Sequence, residues 1–309
     1  MTRFLVNRAI TALISVIGVM VIVFIIMRLS GDPTVLLAPQ GASRADIELL
    51  RHQLGFDQPI PVQFIQYLWM VLHLDFGTSF VQRIPVLTII GARLPYTLWL
   101  AATALTFAIT IGLFIGVTSA ARRGGWIERL LLPLILVGQS LPTFWSGILL
   151  IMLFAVHLGW LPSSGADQPS SVILPALALG ALSMATFARI ARTAVIDELS
   201  KDYVRAIRAK GISELRVILA HVLRNASIPV ITVAAIEIAN LLAGAAIVET
   251  VFAWPGLGQL AVQTITGRDF LVAQALVLLA SITYIVLNFI ADLLYSAVDP
   301  RIRLGARGR

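Results

Sequence analysis

AITALISVIGVMVIVFIIM, from Ala9 to Met27, carries no charge and is bracketed by Arg8 and Arg28. A helix rises 1.5 Å per residue, so about 20 apolar residues cross a hydrocarbon core about 30 Å thick. The run meets that length, exceeds the apolar core of a signal peptide, and has no small-residue cleavage pattern close behind it. It reads as a retained membrane span. The rest of the chain agrees: 58% of its 309 residues are hydrophobic and 13% are charged, against about 25% charged in soluble domains.

Five further runs of similar character follow: within Pro95 to Ala121, within Leu130 to Leu158, from about Val172 to Ala188, from about Pro229 to Val248, and from Phe270 to Ala291. The expected fold class is an all-α integral membrane protein of six transmembrane helices. Most of the 23 Lys and Arg residues then fall on one side, at Arg3 and Arg8, at Arg122, Arg123 and Arg129, between Arg189 and Arg224, and from Arg301 to Arg309. By the positive-inside rule that side is the cytoplasm, and both termini lie there. The same asymmetry accounts for the formal charge of +7 better than a nucleic-acid surface does. The chain has no cysteine, which excludes disulfides and thiolate metal sites.

Between the first two spans, Ser30 to Leu94 is a long extracytoplasmic segment with turn signals at Gly31 to Pro33 and Gln58 to Pro61. In RADIELLRHQLG, Arg44 to Gly55, the spacing of Ile47, Leu50 and Leu54 predicts a helix with Gly55 at its C-terminal cap. Val62 to Leu74 carries a second apolar stripe, too short to span, which predicts a helix in the membrane interface.

Several chemistries are absent. Without G-x-x-x-x-G-K-[ST] there is no loop to hold a triphosphate, so the chain is not its own ATPase. There is no H-E-x-x-H, and His52, His73, His157 and His221 are scattered, which argues against a metal hydrolase. Ser140 and Ser146 have no base beside them and read as structural. A charge within a span is expensive, which singles out Glu237, with Asn240 on the same helical face, and Asp292 near the cytoplasmic interface. Two readings stand for Glu237 and Asn240: they line a polar pathway, or they are satisfied within the bundle. Gly112 and Gly116, and the run Ala235, Ala239, Ala243 and Gly244, predict close helix packing. Pro133 and Pro142 predict a kink or break in the third span.

The cytoplasmic loop between the fourth and fifth spans reads DYVRAIRAKGISELRVILAHVLRNASIP, Asp202 to Pro229. A short helix is predicted from Asp202 to Lys210, with Asp202 at its N-terminal end and Gly211 as a left-handed stop. Ala206 and Ala209 share a face that leaves the backbone open to close approach. Ser213 is placed to cap a second helix with an apolar stripe at Leu215, Ile218, Leu219 and Val222, and Pro229 opens the next span. Attraction to anionic lipid accounts for the arginines. A docking element for a cytoplasmic partner accounts also for the small face and the glycine stop.

DYVRAIRAKG followed by HVLRNASIP resembles the cytoplasmic coupling loop of ABC importer permeases, in the form found in the dipeptide/oligopeptide permease family. The general signature begins Glu-Ala-Ala, with glycine six residues after the glutamate; here Arg205, Ala206 and Ile207 occupy those places, and Gly211 follows. LGFDQPIPVQFIQYLWMVLHLDFGTSF (Leu54 to Phe80), PVLTIIGARLPYTLWLA (Pro85 to Ala101), VETVFAWPGLGQLAVQTITGRDF (Val248 to Phe270) and DLLYSAVDPRIR (Asp292 to Arg303) each resemble further segments of that family. The short start and long first extracytoplasmic segment are similar to those of its B-type subunit.

The resemblance implies an ABC type I importer fold in the bacterial cytoplasmic (inner) membrane. It implies a first region at 1–93, a transmembrane core at 94–300 with a coupling loop at 197–228, and a basic tail at 301–309. Implied partners are a second, C-type permease subunit, one or two cytoplasmic ABC ATPase subunits that bind the ATP and Mg, and an extracytoplasmic solute-binding protein; this chain binds no cofactor itself. Its solute would be a dipeptide, an oligopeptide, glutathione, a nickel chelate or another small solute. Asp202, Tyr203, Arg205, Ala206, Arg208, Ala209, Lys210 and Gly211 would form the coupling helix on the ATPase. In WPGLGQL, Pro255, Gly256 and Gly258 force an irregular backbone between the last two spans, and Trp254 suits a membrane interface; the stretch forms either part of an external gate or a surface turn. An ATP-independent channel or ion-coupled transporter is the competing class.

Overall fold

The computed structural model describes residues 2–29, 34, 42–53, 55–126, 128–130, 133 and 140–298. The turn expected at Gly31 to Pro33, most of the stretch 131–139 and the tail at 301–309 lie outside the described residues, as does the Asp292 side chain. The described secondary structure is helical, with a single isolated bridge pairing Thr78 and Pro85. The helices are α1 (Thr2–Leu29), α2 (Arg44–Gln53), α3 (Ile60–Leu72), α4 (Val86–Ala121), α5 (Thr143–Leu150), α6 (Ile173–Leu199), α7 (Asp202–Ala209), α8 (Glu214–Arg216), α9 (Leu223–Val251), α10 (Leu257–Thr266) and α11 (Phe270–Val298).

Among the described residues five stretches are long and apolar enough to cross a membrane: Arg8–Ile26, Val86–Ala121, Pro169–Leu199, Glu214–Val251 and Phe270–Ile290. The third expected span is represented by a shorter helix, Thr143–His157, whose second half winds as a π-helix from Ile151. Pro142 stands just before its first turn, where a missing N–H costs nothing. Pro95 and Pro229 lie inside α4 and α9, so the helices that carry the second and fifth expected spans begin before these prolines.

Contacts divide the chain into two compact units. The first holds Tyr96–Gln259 and Val286–Arg309; the second holds Thr2–Pro95 and Leu260–Ile285. In the first unit, α4 and α6 approach until their backbones nearly touch. A Cβ on Gly112 would lie 2.7 Å from the Phe187 Cβ, and one on Gly116 would lie 2.8 Å from the Ala191 Cβ. These two glycines therefore pack as their spacing predicted, because only a missing side chain lets the helices meet. Leu100, Leu174, Leu179, Leu241 and Val248 fill the core beside them.

In the second unit, Phe24 of α1 packs on Phe64 and Tyr67 of α3, with Met20, Val71 and Leu278 completing the cluster. α2 begins on a box that the sequence reading passed over: the Ser43 N–H and hydroxyl both donate to the Asp46 carboxylate, at 2.9 and 2.8 Å. These bonds hold the Asp46 carboxyl below the usual carboxylate range. α3 is apolar on two faces: Tyr67 and Val71 are buried, while Ile65, Trp69 and Leu72 are exposed. One apolar face of α3 is thus packed against protein and a second is left open. Further along, the Ser79 hydroxyl donates to the buried Asp269 carboxylate, which also accepts the Phe80 N–H at 3.3 Å.

Candidate functional site

The Asp202–Ala209 helix is set by its ends. Asp202 sits in the first turn, where a negative charge meets the positive end of the helix dipole, and it pairs with Arg205 at 3.3 Å. Lys201 occupies the capping position and no side chain caps the helix. At the other end Gly211 takes φ of +75°, and its N–H donates to the Arg208 carbonyl at 2.9 Å. Nothing lies within 4 Å of a Cβ built on Gly211, so conformation rather than crowding calls for glycine there.

What holds α7 is one buried side chain and two polar clusters. Val204 is fully buried and packs with Val195, Val217, Val222 and Ala226. Glu198, at the end of α6, accepts hydrogen bonds from the Lys201 ammonium, from the Tyr203 hydroxyl at 2.7 Å and from the Asn225 amide at 3.4 Å. Burial, and then the bond to Glu198, push the Tyr203 phenol above its ordinary pKa, so it remains a donor at neutral pH. The Arg208 guanidinium forks onto Glu214, at 3.0 and 2.5 Å, across the turn at Gly211, and Glu214 raises its pKa.

With its inner side thus fixed, α7 presents Asp202, Arg205, Ala206, Arg208, Ala209 and Lys210 to solvent. The arrangement is a rigid, mostly basic ridge whose small residues let another backbone come close. The second half of the loop departs from expectation. Val217, Ile218 and Val222 are buried, whereas Leu215 and Leu219 are exposed. Val217–Val222 winds as a π-helix, which is wider than an α-helix and rotates the expected stripe out of register. Ser213 contributes its carbonyl, not its hydroxyl, to the first turn, accepting the Val217 N–H at 3.0 Å.

The WPGLG stretch is no surface turn. Trp254 and Phe252 are buried, and the Trp254 indole N–H donates to the Tyr96 carbonyl at 3.0 Å. The Trp254 ring packs at 5.3 Å on Trp99. Glu249 is also fully buried and accepts the Thr97 hydroxyl at 2.7 Å and the Gln259 N–H at 3.0 Å. Thr97 in turn accepts the Leu257 N–H at 2.7 Å. Gly256 and Gly258 give this cluster its room: a Cβ on the first would lie 2.5 Å from Glu249 Oε2, and one on the second 2.7 Å from the Ala246 Cβ.

Glu237 accepts the Ser183 hydroxyl across the α6–α9 contact and the Asn240 amide at 3.4 Å. Glu237 is half-buried and Asn240 is exposed. Among the described residues no group of His, Asp and Glu is placed to hold a metal ion.

Sequence reasoning passed over Glu198, Asn225, Glu214, Thr97 and Glu249. The signal for Glu249 was available, because a carboxylate beside a span is as costly as Glu237. It stood one residue past the predicted end of the fifth span and so escaped the question.

Two family profiles cover the chain. "Binding-protein-dependent transport system inner membrane component" matches residues 108–304, and an N-terminal membrane-component profile of the same transport systems matches residues 1–101. The chain is 45% identical over 304 residues to the glutathione transport system permease protein GsiC of Salmonella paratyphi A, covering 98% of this chain and 99% of that protein. It is 45% identical over 288 residues to GsiC of Escherichia coli K12, covering 93% and 94%. Among solved structures, an inward-facing MetNI methionine ABC transporter matches 69% of this chain and 97% of its own at a TM-score of 0.58 and 21% identity. An amino acid ABC transporter solved with histidines matches 67% and 92% at 0.51 and 21%. At that identity both show a shared fold alone.

Proposed function

The chain belongs to the family of binding-protein-dependent transport system inner membrane components and is a permease subunit of an ABC importer, multi-pass in the inner membrane; on that premise we propose that it imports glutathione or a similar small peptide. The observation that carries this reading is the 45% identity over nearly the full length of relatives named as glutathione permeases. The subunit itself is non-catalytic, and in this family ATP hydrolysis belongs to separate ATPase subunits.

In the proposed arrangement the chain crosses the membrane six times with both termini in the cytoplasm, the third crossing containing Thr143–His157. Residues 1–93 form the first region and 94–300 the core, with the coupling loop at 197–228. The partners are a C-type permease subunit, one or two ATPase subunits carrying ATP and Mg, and an extracytoplasmic binding protein that delivers the solute. α7 rests in a groove of the ATPase. Its exposed Ala206 and Ala209 allow close contact, and Arg205, Arg208 and Lys210 orient it. Because Val204, Tyr203 and Arg208 tie α7 to α6 and to the start of the α8–α9 rod, movement of the ATPase is passed to two spans at once. Trp254, Pro255, Gly256 and Gly258 belong to the external gate, and Glu237 with Asn240 lines the pathway.

Reconstitution with all partners tests the reading. ATP-dependent uptake of labelled glutathione exceeding that of a nickel chelate supports it; uptake of the chelate alone sinks the solute. Ala206→Trp should leave the subunit assembled in the membrane and abolish uptake. Undiminished uptake would remove α7 from the coupling role.

A further inference from the structure

Glu237 sits at the middle of α9, the helix Leu223–Val251, in a stretch otherwise free of charge from Pro229 to Val248. Its hydrogen-bond partners are the Ser183 hydroxyl and the Asn240 amide, both neutral donors, and among the described residues no Lys, Arg or His pairs with it. These donors satisfy lone pairs but leave the carboxylate's negative charge uncompensated, in a segment where an unpaired charge is expensive.

A fully buried carboxylate of the same unit shows the contrast. Glu249 is fully enclosed by Thr97 and the 256–259 backbone, whereas Glu237 is only half-buried and its neighbour Asn240 is exposed. The open side lies along α9 with Ala243 and Ile247, which are also exposed and offer no competing charge. Ser183 is buried beneath the carboxylate and fixes its orientation from α6.

We propose that Glu237, held by Ser183 and Asn240, is a binding site for a solute's primary ammonium group during passage. This deepens the pathway reading of Glu237 and Asn240 and rests on it. A carboxylate lacking a counter-charge attracts a cation and repels an anion, and the exposed Asn240 carbonyl oxygen adds a second acceptor suited to an N–H donor. A peptide's amino terminus supplies that group, so the site discriminates by charge after the binding protein has released the solute.

This chain has no cysteine, so each introduced thiol is its only one, and labelling is read on this chain alone. In the assembled transporter, Asn240→Cys and, separately, Ala243→Cys are labelled with 2-aminoethyl and 2-sulfonatoethyl methanethiosulfonate, and rates are normalised to those of a free thiol. The cationic reagent should react about tenfold faster, as a focused field requires, and adding Glu237→Gln should bring the two to parity. Millimolar ethylammonium should slow the cationic reagent, whereas sodium at the same concentration should not. Parity in the presence of Glu237, or equal slowing by sodium, overturns the ammonium site while leaving the pathway reading intact. Failure of both reagents to reach either cysteine in any nucleotide state overturns the pathway reading, and this site with it.

Discussion

The helix Asp202–Ala209 and the turn Trp254–Gly258 both interrupt apolar spans with small residues, yet the two use smallness for opposite purposes. At Gly211 a Cβ would meet nothing, and Ala206 and Ala209 face solvent. At Gly256 and Gly258 a Cβ would strike the Glu249 carboxylate and the Ala246 side chain. In the first region the space stands open to solvent, where the proposed ATPase would dock; in the second the chain itself has filled it. Substitutions should therefore act on function in one place and on folding in the other.

The sharpest break of that contrast is Gly258→Val. Overpacking against the α9 backbone costs about 3 kcal/mol, so thermal unfolding in detergent should show a large loss of stability, and retention of wild-type stability would mean the turn is not closed. Glu249→Ala comes next, because it leaves the Thr97 hydroxyl and the Gln259 N–H without their acceptor, at about 2 kcal/mol. Glu249→Gln should recover part of that loss, since its amide oxygen still accepts.

On the coupling side the effects shrink. Gly211→Ala forces a side chain into the left-handed region at about 1 kcal/mol, with a small shift in unfolding and a larger drop in coupled uptake. Ala206→Trp should change stability by less than about 0.5 kcal/mol, as exposed substitutions do, and still uncouple ATP hydrolysis from transport. Stability loss greater than that of Glu249→Ala would show that Ala206 packs within its own subunit, and the comparison would fail.

Much of this molecule was legible because hydrophobic length and helix-ending residues are local properties. The helix at Arg44–Gln53, the packing of Gly112 and Gly116, and the stop at Gly211 all follow from spacing within one turn or one face. Boundaries were less legible. Prolines at 95 and 229 read as openings of spans, but within long apolar helices the surrounding packing tolerates a missing N–H.

The polar partners were hardest to foresee. Glu198 meets Asn225 and Ser183 meets Glu237 only because α6 and α9 run side by side, and Thr97 meets Glu249 across 152 residues of sequence. The π-turn at Val217–Val222, which moved Leu215 and Leu219 to the surface, likewise answers to packing around Val204.

The sequence by itself determined a membrane chain of long helices, with a charge asymmetry from which an orientation is predicted, no nucleotide loop of its own, and a short basic helix ended by glycine. Each depends on how residues meet water, lipid or their neighbours within a turn. Only the tertiary structure decided which small residues guard open space and which are crowded, and which carboxylate is enclosed and which lies open. Those outcomes depend on what distant segments bring to the same place.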